Sequence, residues 1–409
     1  MRVLHLNTYS SGGSYESAAL LCDVLLREGL GSRLCCKVAP GARRFKGVLD
    51  RAVRRAYVSL SREPWHGTRR LLLPPPPKAL ERVDVVHLHT VADWFDVPSW
   101  LETLPASIGV VVSLHDMWHV TGGCFLYRGC NRFSDTCSPC PILKAPLNRV
   151  LARDEQIRKF RAYRTRQARF VANSHWLADL AGRSPLVRGE GCVQVIMPGI
   201  DTDIFRLQDK VQCRATLGVR QGAFVIAAGA ASLTDRNKNI RWLLEQLAEL
   251  PELENVIVLL AGEGAVQLPV GLNLRLMGGI ADPRTRALFY GAADIFASAS
   301  LMETYGLTLV EAMGCGTPVV AFRTGGIPEA VPDGQAGILC ELLDRTAFKR
   351  AIEKLRTSRE VRCQLGTGAS SLALSRNDKD KFAEAFKRVY EECVHLERTS
   401  SAGPSILAA

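Results

Sequence analysis

Residues 298–326, SASLMETYGLTLVEAMGCGTPVVAFRTGG, decide the fold of this chain. The apolar run at 295–297, immediately before them, predicts a buried strand of a parallel sheet. Glu303 follows in a loop, and apolar residues at helical spacing then predict a helix that begins near Leu307 and contains Glu311. This order of strand, loop and helix indicates an α/β sheet.

Two acids eight positions apart therefore lie beyond the carboxyl end of one strand. Open α/β sheets bind ligands at that end of their strands. The helix N-terminus adds backbone N–H donors and a positive dipole end, which suit a phosphate, and a nearby carboxylate can accept hydrogen bonds from sugar hydroxyls. The alternative is a solvated helix with two surface glutamates, because acids on helices are common.

The segment 302–321, METYGLTLVEAMGCGTPVVA, resembles the E-x7-E signature of family-four retaining glycosyltransferases. Weaker matches recur from Met1 to about Lys387, including IMPGIDTDIF, which is similar to the family's interdomain segment. The resemblance implies the GT-B fold, in which two Rossmann-like domains with doubly wound parallel sheets face each other across a cleft. It also implies transfer of a sugar from a nucleotide-sugar donor to a hydroxyl, with retained anomeric configuration and no catalytic metal.

The composition is that of a globular protein. The chain has 409 residues, of which 47% are hydrophobic and 23% charged, and this length favours two domains. No apolar run reaches the roughly 18 residues of a membrane span, and the N-terminus MRVLHLNT lacks a signal-peptide pattern, so we expect a cytoplasmic protein. Thirteen cysteines without such a signal favour reduced thiols or a metal site over a disulfide framework.

Positive charge is concentrated in the first half of the chain. The net charge is +11, and residues 1–200 alone carry +12. Within them, residues 43–70 are rich in arginine and have apolar residues at helical spacing, which predicts a cationic amphipathic helix. We therefore expect peripheral docking on an anionic membrane surface, with a solvated surface helix as the alternative.

The alternation of strands and helices predicts the following domains. They are a Rossmann-like acceptor domain at 1–197 with a cysteine-rich insertion at 122–141, a Rossmann-like nucleotide-sugar donor domain at 198–377, a helix at 378–396 that returns to the first domain, and a disordered tail at 397–409.

In the first domain, a glycine turn and a histidine are candidate site residues. Gly12 and Gly13 follow the strand RVLHLN and precede a helix, so their backbone can approach a phosphate. The resemblance places this turn beside the donor diphosphate. The apolar strand 108–114 delivers His115 at its carboxyl end, and the resemblance makes His115 a contact to the transferred sugar or the acceptor. A plain turn and a structural histidine are the alternatives.

In the second domain, Lys238 occupies the position of the family's phosphate-binding lysine. Ala230 stands where the family normally has an arginine, so Arg236 is the substitute candidate for the second cation, and Asn239 replaces a glycine. The resemblance assigns the ribose hydroxyls to Glu311 and the sugar hydroxyls to Glu303. The other predicted donor contacts are Gly278, Ile280, Tyr305, Gly306 and Leu307.

The insertion GGCFLYRGCNRFSDTCSPCP contains four cysteines, Cys124, Cys130, Cys137 and Cys140. One C-x-x-C pair with two further thiols can close a tetrahedral zinc site, which we expect to be structural. Together with the preceding HDMW, the insertion resembles a family-four subgroup that builds bacterial exopolysaccharide. Four unligated thiols are the alternative, and a redox C-x-x-C is less favoured because no thioredoxin-like strand precedes it.

The predicted function is therefore glycosyl transfer to a hydroxyl of a growing, lipid-linked glycan in cell-surface polysaccharide synthesis. Lys238, the helix N-terminus near Glu303 and the amides of Gly12 and Gly13 would stabilise the leaving diphosphate. A nucleotide-sugar epimerase of the same fold is one alternative. The other is a zinc-containing nucleic-acid binder, which no nucleic-acid motif in the sequence supports.

Overall fold

A computed structural model describes residues 1–37, 65–68, 82–187 and 193–401, with side chains as far as residue 394. The predicted amphipathic helix within 43–70 lies outside the described residues, apart from a short stretch at 65–68. The chain forms two units: Met1–Met197 with Phe382–Ala409, and Pro198–Lys381.

The first unit contains a six-stranded parallel sheet in the order β2-β1-β3-β4-β5-β6. Its strands are β1 (Arg2–Asn7), β2 (Gly31–Cys36), β3 (Val85–Leu88), β4 (Gly109–Leu114), β5 (Arg169–Ala172) and β6 (Val193–Val195). Its described helices before the second unit are α1 (Gly13–Arg27), α2 (Val97–Glu102), α3 (Leu151–Thr165) and α4 (His175–Gly182), with short 3-10 turns at Trp118–Val120, Arg132–Ser134 and Leu147–Arg149.

The second unit contains another six-stranded parallel sheet, in the order β12-β11-β10-β7-β8-β9. Its strands are β7 (Phe224–Ser232), β8 (Val256–Glu263), β9 (Leu274–Gly278), β10 (Ile295–Ser298), β11 (Val319–Phe322) and β12 (Gly337–Cys340). Its helices are α5 (Lys210–Leu217), α6 (Ile240–Ala248), α7 (Pro283–Ala292), α8 (Leu307–Gly314), α9 (Ile327–Ala330), α10 (Arg345–Thr357) and α11 (Arg359–Arg376), with a 3-10 turn at Leu253–Asn255.

The last described helix, α12 (Lys379–Ser401), lies where the returning helix is predicted. Phe386 and Tyr390 pack in one apolar cluster with Val3 of β1 and Val85 of β3, so the helix covers one face of the first sheet. The described helix ends at Ser401, so it overlaps the first residues of the tail at 397–409, and the predicted domain boundaries stay predictions. Residues 402–409 lie outside the described part of the chain.

Each sheet reverses its strand order at one point. In the first sheet β2 and β3 flank β1, and in the second sheet β8 and β10 flank β7. A crevice forms at the carboxyl ends of the strands at such a reversal, and ligands of α/β proteins bind there. Among the described helices, none combines the length and the apolar character that crossing a membrane requires.

Candidate functional site

An ion pair occupies the reversal point of the second sheet. Lys238 lies in the loop after β7, and Glu303 lies in the loop after the neighbouring strand β10. The Lys238 Nζ is 2.5 Å from the Glu303 Oε1, and both side chains are partly buried. The structure thus brings together the cation and the acid that the sequence placed in the donor site.

The pKa of Lys238 reflects two opposing effects. Burial lowers it, but the charge of the Glu303 carboxylate and its hydrogen bond raise it, and the pKa ends above the ordinary value of a lysine. Lys238 is therefore a permanent cation at neutral pH, and a bound phosphate would compete with Glu303 for it.

The glycine turn after β11 holds the backbone of Glu303. The Gly326 N–H donates to the Glu303 carbonyl at 2.8 Å. Gly325 has φ +58°, and a Cβ placed on it would lie 2.1 Å from the same carbonyl oxygen. The side chain of Asn237 donates to the Met302 carbonyl at 2.8 Å, which ties the loop of Lys238 to the loop of Glu303. The sequence alone gave no sign of this role.

Asn239, which replaces a glycine of the family pattern, adopts φ +53°. Asparagine tolerates this left-handed conformation better than most residues, so the substitution preserves the turn. The same residue is the N-cap of α6, so that helix begins at Ile240.

Glu311 is buried and not on a solvated surface. Its two carboxylate oxygens accept hydrogen bonds from Arg286 at 3.3 Å and from the Tyr290 hydroxyl at 2.9 Å. Both donors belong to α7, whose sequence gave no sign of a role in the site. Arg286 and Tyr290 therefore hold the Glu311 carboxylate in place before any ligand binds.

The N-terminus of α8 is open to an anion. Its N-cap, Gly306, has φ +102° and gives the helix no side-chain cap. The Leu309 N–H already donates to the Gly306 carbonyl at 3.0 Å, so the N–H groups of Leu307 and Thr308 are the ones suited to a ligand. Leu307 begins the helix. The side chain of Tyr305 is directed into the protein, where it is 1% exposed and its hydroxyl accepts a hydrogen bond from Asn377 at 2.9 Å. Only the backbone of Tyr305 remains suited to a ligand.

The remaining predicted donor contacts are spread along the same sheet edge. Arg236 is exposed in the loop of Lys238, while Gly278 ends β9 with φ +67° and Ile280 follows it, half-buried. Because β9 is the edge strand, two positions from β7, these two residues lie apart from the ion pair along the sheet.

In the first unit, the predicted glycine turn lies at the N-terminus of α1. Gly12 has φ +89° and is the N-cap, and no side chain caps the helix. The Glu16 N–H closes the first turn on the Gly12 carbonyl, so the N–H groups of Gly13 and the two residues after it precede the helical ladder. The turn has the backbone character that an anion site needs.

His115 ends a row of hydrogen-bonded histidines. His89 lies 3.0 Å from His115 and 3.1 Å from His5, measured between ring nitrogens. Burial lowers the pKa of His115 to about 4 and the pKa of His5 to about 3, so both rings are neutral at pH 7. His115 itself is half-buried at the carboxyl end of β4.

Three of the buried histidines also satisfy the spacing of a metal site. Among the described residues, His5, His87 and His89 have ring nitrogens within 4.8 Å of one another. The two nitrogens of His87, however, bond to the Tyr390 hydroxyl and to Ser113, both at 2.7 Å. We interpret the group as a hydrogen-bonded core network. The sequence showed the alternating histidines but not their partners, which lie far away in the chain.

The half-buried Asp116, which follows His115, and the fully buried Lys159 both bond to the backbone of Trp118. Asp116 accepts a hydrogen bond from the Trp118 N–H at 2.7 Å, and burial raises its pKa to about 7 although this bond and Lys159 oppose the shift. Burial lowers the pKa of Lys159 to about 8, and its Nζ donates to the Trp118 carbonyl at 2.5 Å. Neither residue was predicted.

The four cysteines of the insertion line one cavity of about 250 Å³. The Cys124 thiol donates to the Cys140 sulphur, and this contact lowers the pKa of Cys140 to about 6. The Gly122 N–H donates to the Cys137 sulphur at 3.2 Å. In the described structure the cysteines do not form a group whose sulphurs all lie within 4.8 Å.

The match to a family model lies within the second unit. Residues 224–358 match the family described as "Glycosyl transferases group 1". This segment contains Lys238, Glu303 and Glu311. The chain is 30% identical over 241 residues to the D-inositol 3-phosphate glycosyltransferase of Acidothermus cellulolyticus, which is 55% of this chain and 52% of that protein. The chain thus spans about half the length of the curated relatives that it matches.

Two solved structures resemble nearly the whole chain. HepE of Anabaena, in complex with UDP-glucose, has a TM-score of 0.63 at 18% identity and covers 96% of this chain and 100% of its own. Sucrose-phosphate synthase of Thermosynechococcus elongatus has a TM-score of 0.67 at 15% identity, with 97% and 99% covered. With the two parallel sheets, these similarities confirm the predicted fold, GT-B with two Rossmann-like domains.

Proposed function

We propose that the protein is a retaining glycosyltransferase that moves a sugar from a nucleoside diphosphate sugar to a hydroxyl group. The ion pair of Lys238 and Glu303 at the reversal point of the second sheet carries this proposal. A departing diphosphate gains negative charge, which Lys238 and the uncapped N-terminus of α8 are suited to stabilise. The match of residues 224–358 to group 1 glycosyl transferases supports the same chemistry.

We take the other roles from the resemblance to family-four glycosyltransferases, and the chemistry of each residue suits its role. Glu303, once Lys238 turns to the phosphate, accepts hydrogen bonds from the sugar hydroxyls, and Glu311 accepts them from the ribose. The open first turn of α1 at Gly12 and Gly13 contributes backbone donors for the diphosphate. His115 contacts the transferred sugar or the acceptor. In this scheme protein cations and helix dipoles take the place of a catalytic metal.

The acceptor that we propose is an anionic molecule with a free hydroxyl, first of all a lipid-linked glycan of cell-surface polysaccharide synthesis. The charge of +12 in residues 1–200 supports an anionic partner, and docking at the inner face of the membrane would bring a lipid-linked hydroxyl to the enzyme. A phosphorylated cyclitol is the second candidate, because the relatives are named D-inositol 3-phosphate glycosyltransferases.

The decisive experiment screens UDP-, GDP-, ADP- and TDP-sugars for thermal protection of the protein and then analyses the products with and without acceptor. We expect one nucleotide class to raise the unfolding temperature, since a ligand that binds only the folded state stabilises it. Sugar transfer that depends on the acceptor and retains the anomeric configuration would support the proposal.

Two outcomes would contradict it. Release of free nucleotide and an altered sugar without any acceptor would favour the nucleotide-sugar epimerase. If no nucleotide sugar raises the unfolding temperature, the protein has no donor site of the proposed kind. Comparing lipid diphosphate-linked acceptors with inositol 3-phosphate then separates the two acceptor classes.

A further inference from the structure

We propose that Cys124, Cys130, Cys137 and Cys140 form a structural zinc site in the first unit. The site is independent of the proposed reaction. The four thiols come from one short insertion and line a single cavity of about 250 Å³. Four cysteine ligands in a closed arrangement are typical of structural zinc, which binds thiolate sulphur at about 2.3 Å.

The sulphur atoms already receive the hydrogen bonds that a metal-bound thiolate needs. The backbone N–H groups of Ile142 and Leu143, two and three residues beyond Cys140, donate to its sulphur. The Gly122 N–H donates to the sulphur of Cys137 at 3.2 Å. Donors of this kind orient metal-binding sulphur atoms from outside the coordination sphere, so the backbone of the insertion suits Cys137 and Cys140 as ligands.

Two positively charged side chains lie close to the cysteines and can balance the negative charge of a zinc–thiolate cluster. Zinc with four thiolates has a net charge of −2, and its formation releases the four thiol protons. Arg132 lines the same cavity and acts electrostatically on Cys140. The fully buried Lys159 interacts with Cys137 and Cys124 in the same way. These cations offset the cost of burying the anionic cluster.

Zinc binding would contract the cluster. Sulphurs of a tetrahedral site lie about 3.8 Å apart, from the zinc–sulphur distance of about 2.3 Å. Cys124 and Cys140 are already in hydrogen-bond contact, while Cys130 is half-buried at the edge of the cavity. Among the described residues no three of the four sulphurs lie within 4.8 Å of one another, so zinc binding has to draw both Cys130 and Cys137 towards this pair.

The position of the insertion indicates what the metal stabilises. A Cβ on Gly122 would lie 2.3 Å from the carbonyl of Ala152 in α3, and one on Gly123 would lie 2.6 Å from the ring of Trp65. Trp65 in turn pairs with Cys124 in an isolated β-bridge. The insertion is thus packed tightly on α3, and a zinc ion would fasten it there.

The test measures zinc in the full-length protein, expressed with added zinc chloride and purified without chelators or a histidine tag. We expect about one zinc per chain. Cys140→Ser should lose it, whereas Cys363→Ser should keep it, because Cys363 is exposed in α11 and far from the insertion in sequence. Removal of zinc should lower the unfolding temperature, since metal binding stabilises the folded state.

If the cysteine variants do not fold, the wild-type protein can be loaded with cobalt in place of zinc and its absorption spectrum recorded. Intense thiolate-to-metal charge transfer and the visible bands of tetrahedral cobalt are the expected spectrum. A wild-type protein that takes up neither metal, a cobalt spectrum without thiolate bands, or full zinc content in Cys140→Ser would each overturn the proposal.

Discussion

Lys238 and Glu303 neutralise each other across 2.5 Å, although they lie 65 residues apart in the chain. Adjacent parallel strands β7 and β10 deliver the two side chains to the same sheet edge. The pair keeps a partly buried cation partnered until a phosphate arrives, so the exchange of partners is the central step of the proposed donor binding.

Replacing Glu303 by glutamine should mainly lower turnover. The substitution keeps the shape of the side chain but removes the charge that is proposed to bind the sugar hydroxyls. A hydrogen bond to a charged group contributes about 1.5–3 kcal/mol, so we expect turnover to fall about 10- to 100-fold while donor affinity changes less. Initial rates and calorimetric donor titration measure the two effects.

Glu245→Gln is the matched control, because Glu245 pairs with Arg241 on the exposed face of α6. It should leave both quantities unchanged. Wild-type turnover in Glu303→Gln would contradict the assignment.

Glu311→Gln should weaken nucleotide binding without unfolding the protein. The glutamine amide can still accept the hydrogen bond from Tyr290, but the charge opposite Arg286 is lost. Glu311→Ala, in contrast, leaves the largely buried Arg286 without this carboxylate, which should cost about 3–5 kcal/mol of stability. Nucleotide titration and urea unfolding of both variants separate binding from folding, and unaltered affinity in Glu311→Gln would refute the ribose role.

Gly325→Ala should displace Glu303. The new methyl group would clash with the Glu303 carbonyl, in addition to the strain of an alanine at φ +58°. Gly334→Ala is the matched control, because Gly334 has φ +72° but nothing lies within 4 Å of the added carbon. We expect both variants to lose about 1 kcal/mol of stability from backbone strain, and only Gly325→Ala to lose much more, together with activity. Equal effects of the two would show that the contact is unimportant.

The sheet and the acid pair could be predicted from sequence because they depend on local patterns. Apolar runs mark the buried strands β1, β4 and β10, and the E-x7-E spacing fixes Glu303 and Glu311 relative to one loop and one helix. Such patterns do not determine where a helix begins when the conformation of one residue decides it, as the left-handed Asn239 does before α6.

The partners of these residues could not be predicted, because they come from distant segments. Arg286 and Tyr290 reach Glu311 from another helix, and Asn377 reaches Tyr305 from 72 residues away. Only the packed fold determines such contacts. The exopolysaccharide subgroup likewise stays a prediction, since the relatives compared carry another name.

Acid should destabilise the first unit through its histidines. Burial lowers the pKa of His5 and His119 to about 3 and that of His115 to about 4, and it also lowers those of His87 and His89. The unfolded chain binds protons below its histidine pKa of about 6.5, so folding stability falls as the pH decreases from there towards 4. At pH 5.5, His5, His115 and His119 should each lower the folding stability by about 1.4 kcal/mol.

Asp116 acts in the opposite direction. Its pKa of about 7 means that the folded state binds a proton at a pH where the unfolded state does not. As the pH falls from 7.5 to 5.5, Asp116 therefore adds about 2 kcal/mol to the folding stability. The histidines outweigh Asp116, so the protein should be less stable at pH 5.5 than at pH 7.5. Urea unfolding at these two pH values measures the difference. His5→Phe should reduce the loss by about 1.4 kcal/mol, and His175→Gln, at an exposed position on α4, should not. Stability that does not fall at pH 5.5 would contradict the neutral network.

Replacing Arg51, Arg54 and Arg55 by glutamate should abolish binding to anionic vesicles and leave donor binding intact. These residues lie outside the described part of the chain, and the prediction rests on the charge pattern of the sequence. Each basic side chain near an anionic surface contributes about 1 kcal/mol, and salt near roughly 0.5 M should screen the attraction. Vesicle sedimentation is the measurement, with neutral vesicles as the control. Wild-type protein that never sediments with anionic vesicles would exclude docking.

The packing of α12 on the first sheet has a consequence for synthesis on the ribosome. Tyr390 bonds to His87, and Phe386 packs beside Val3, yet the whole of Pro198–Lys381 is translated between these partners. At roughly 5–20 residues per second, this interval lasts about 10 to 40 s. The apolar face of β1 and β3 that awaits α12 is incomplete throughout, so the nascent chain offers chaperones a defined surface, and the second unit can finish folding before the first.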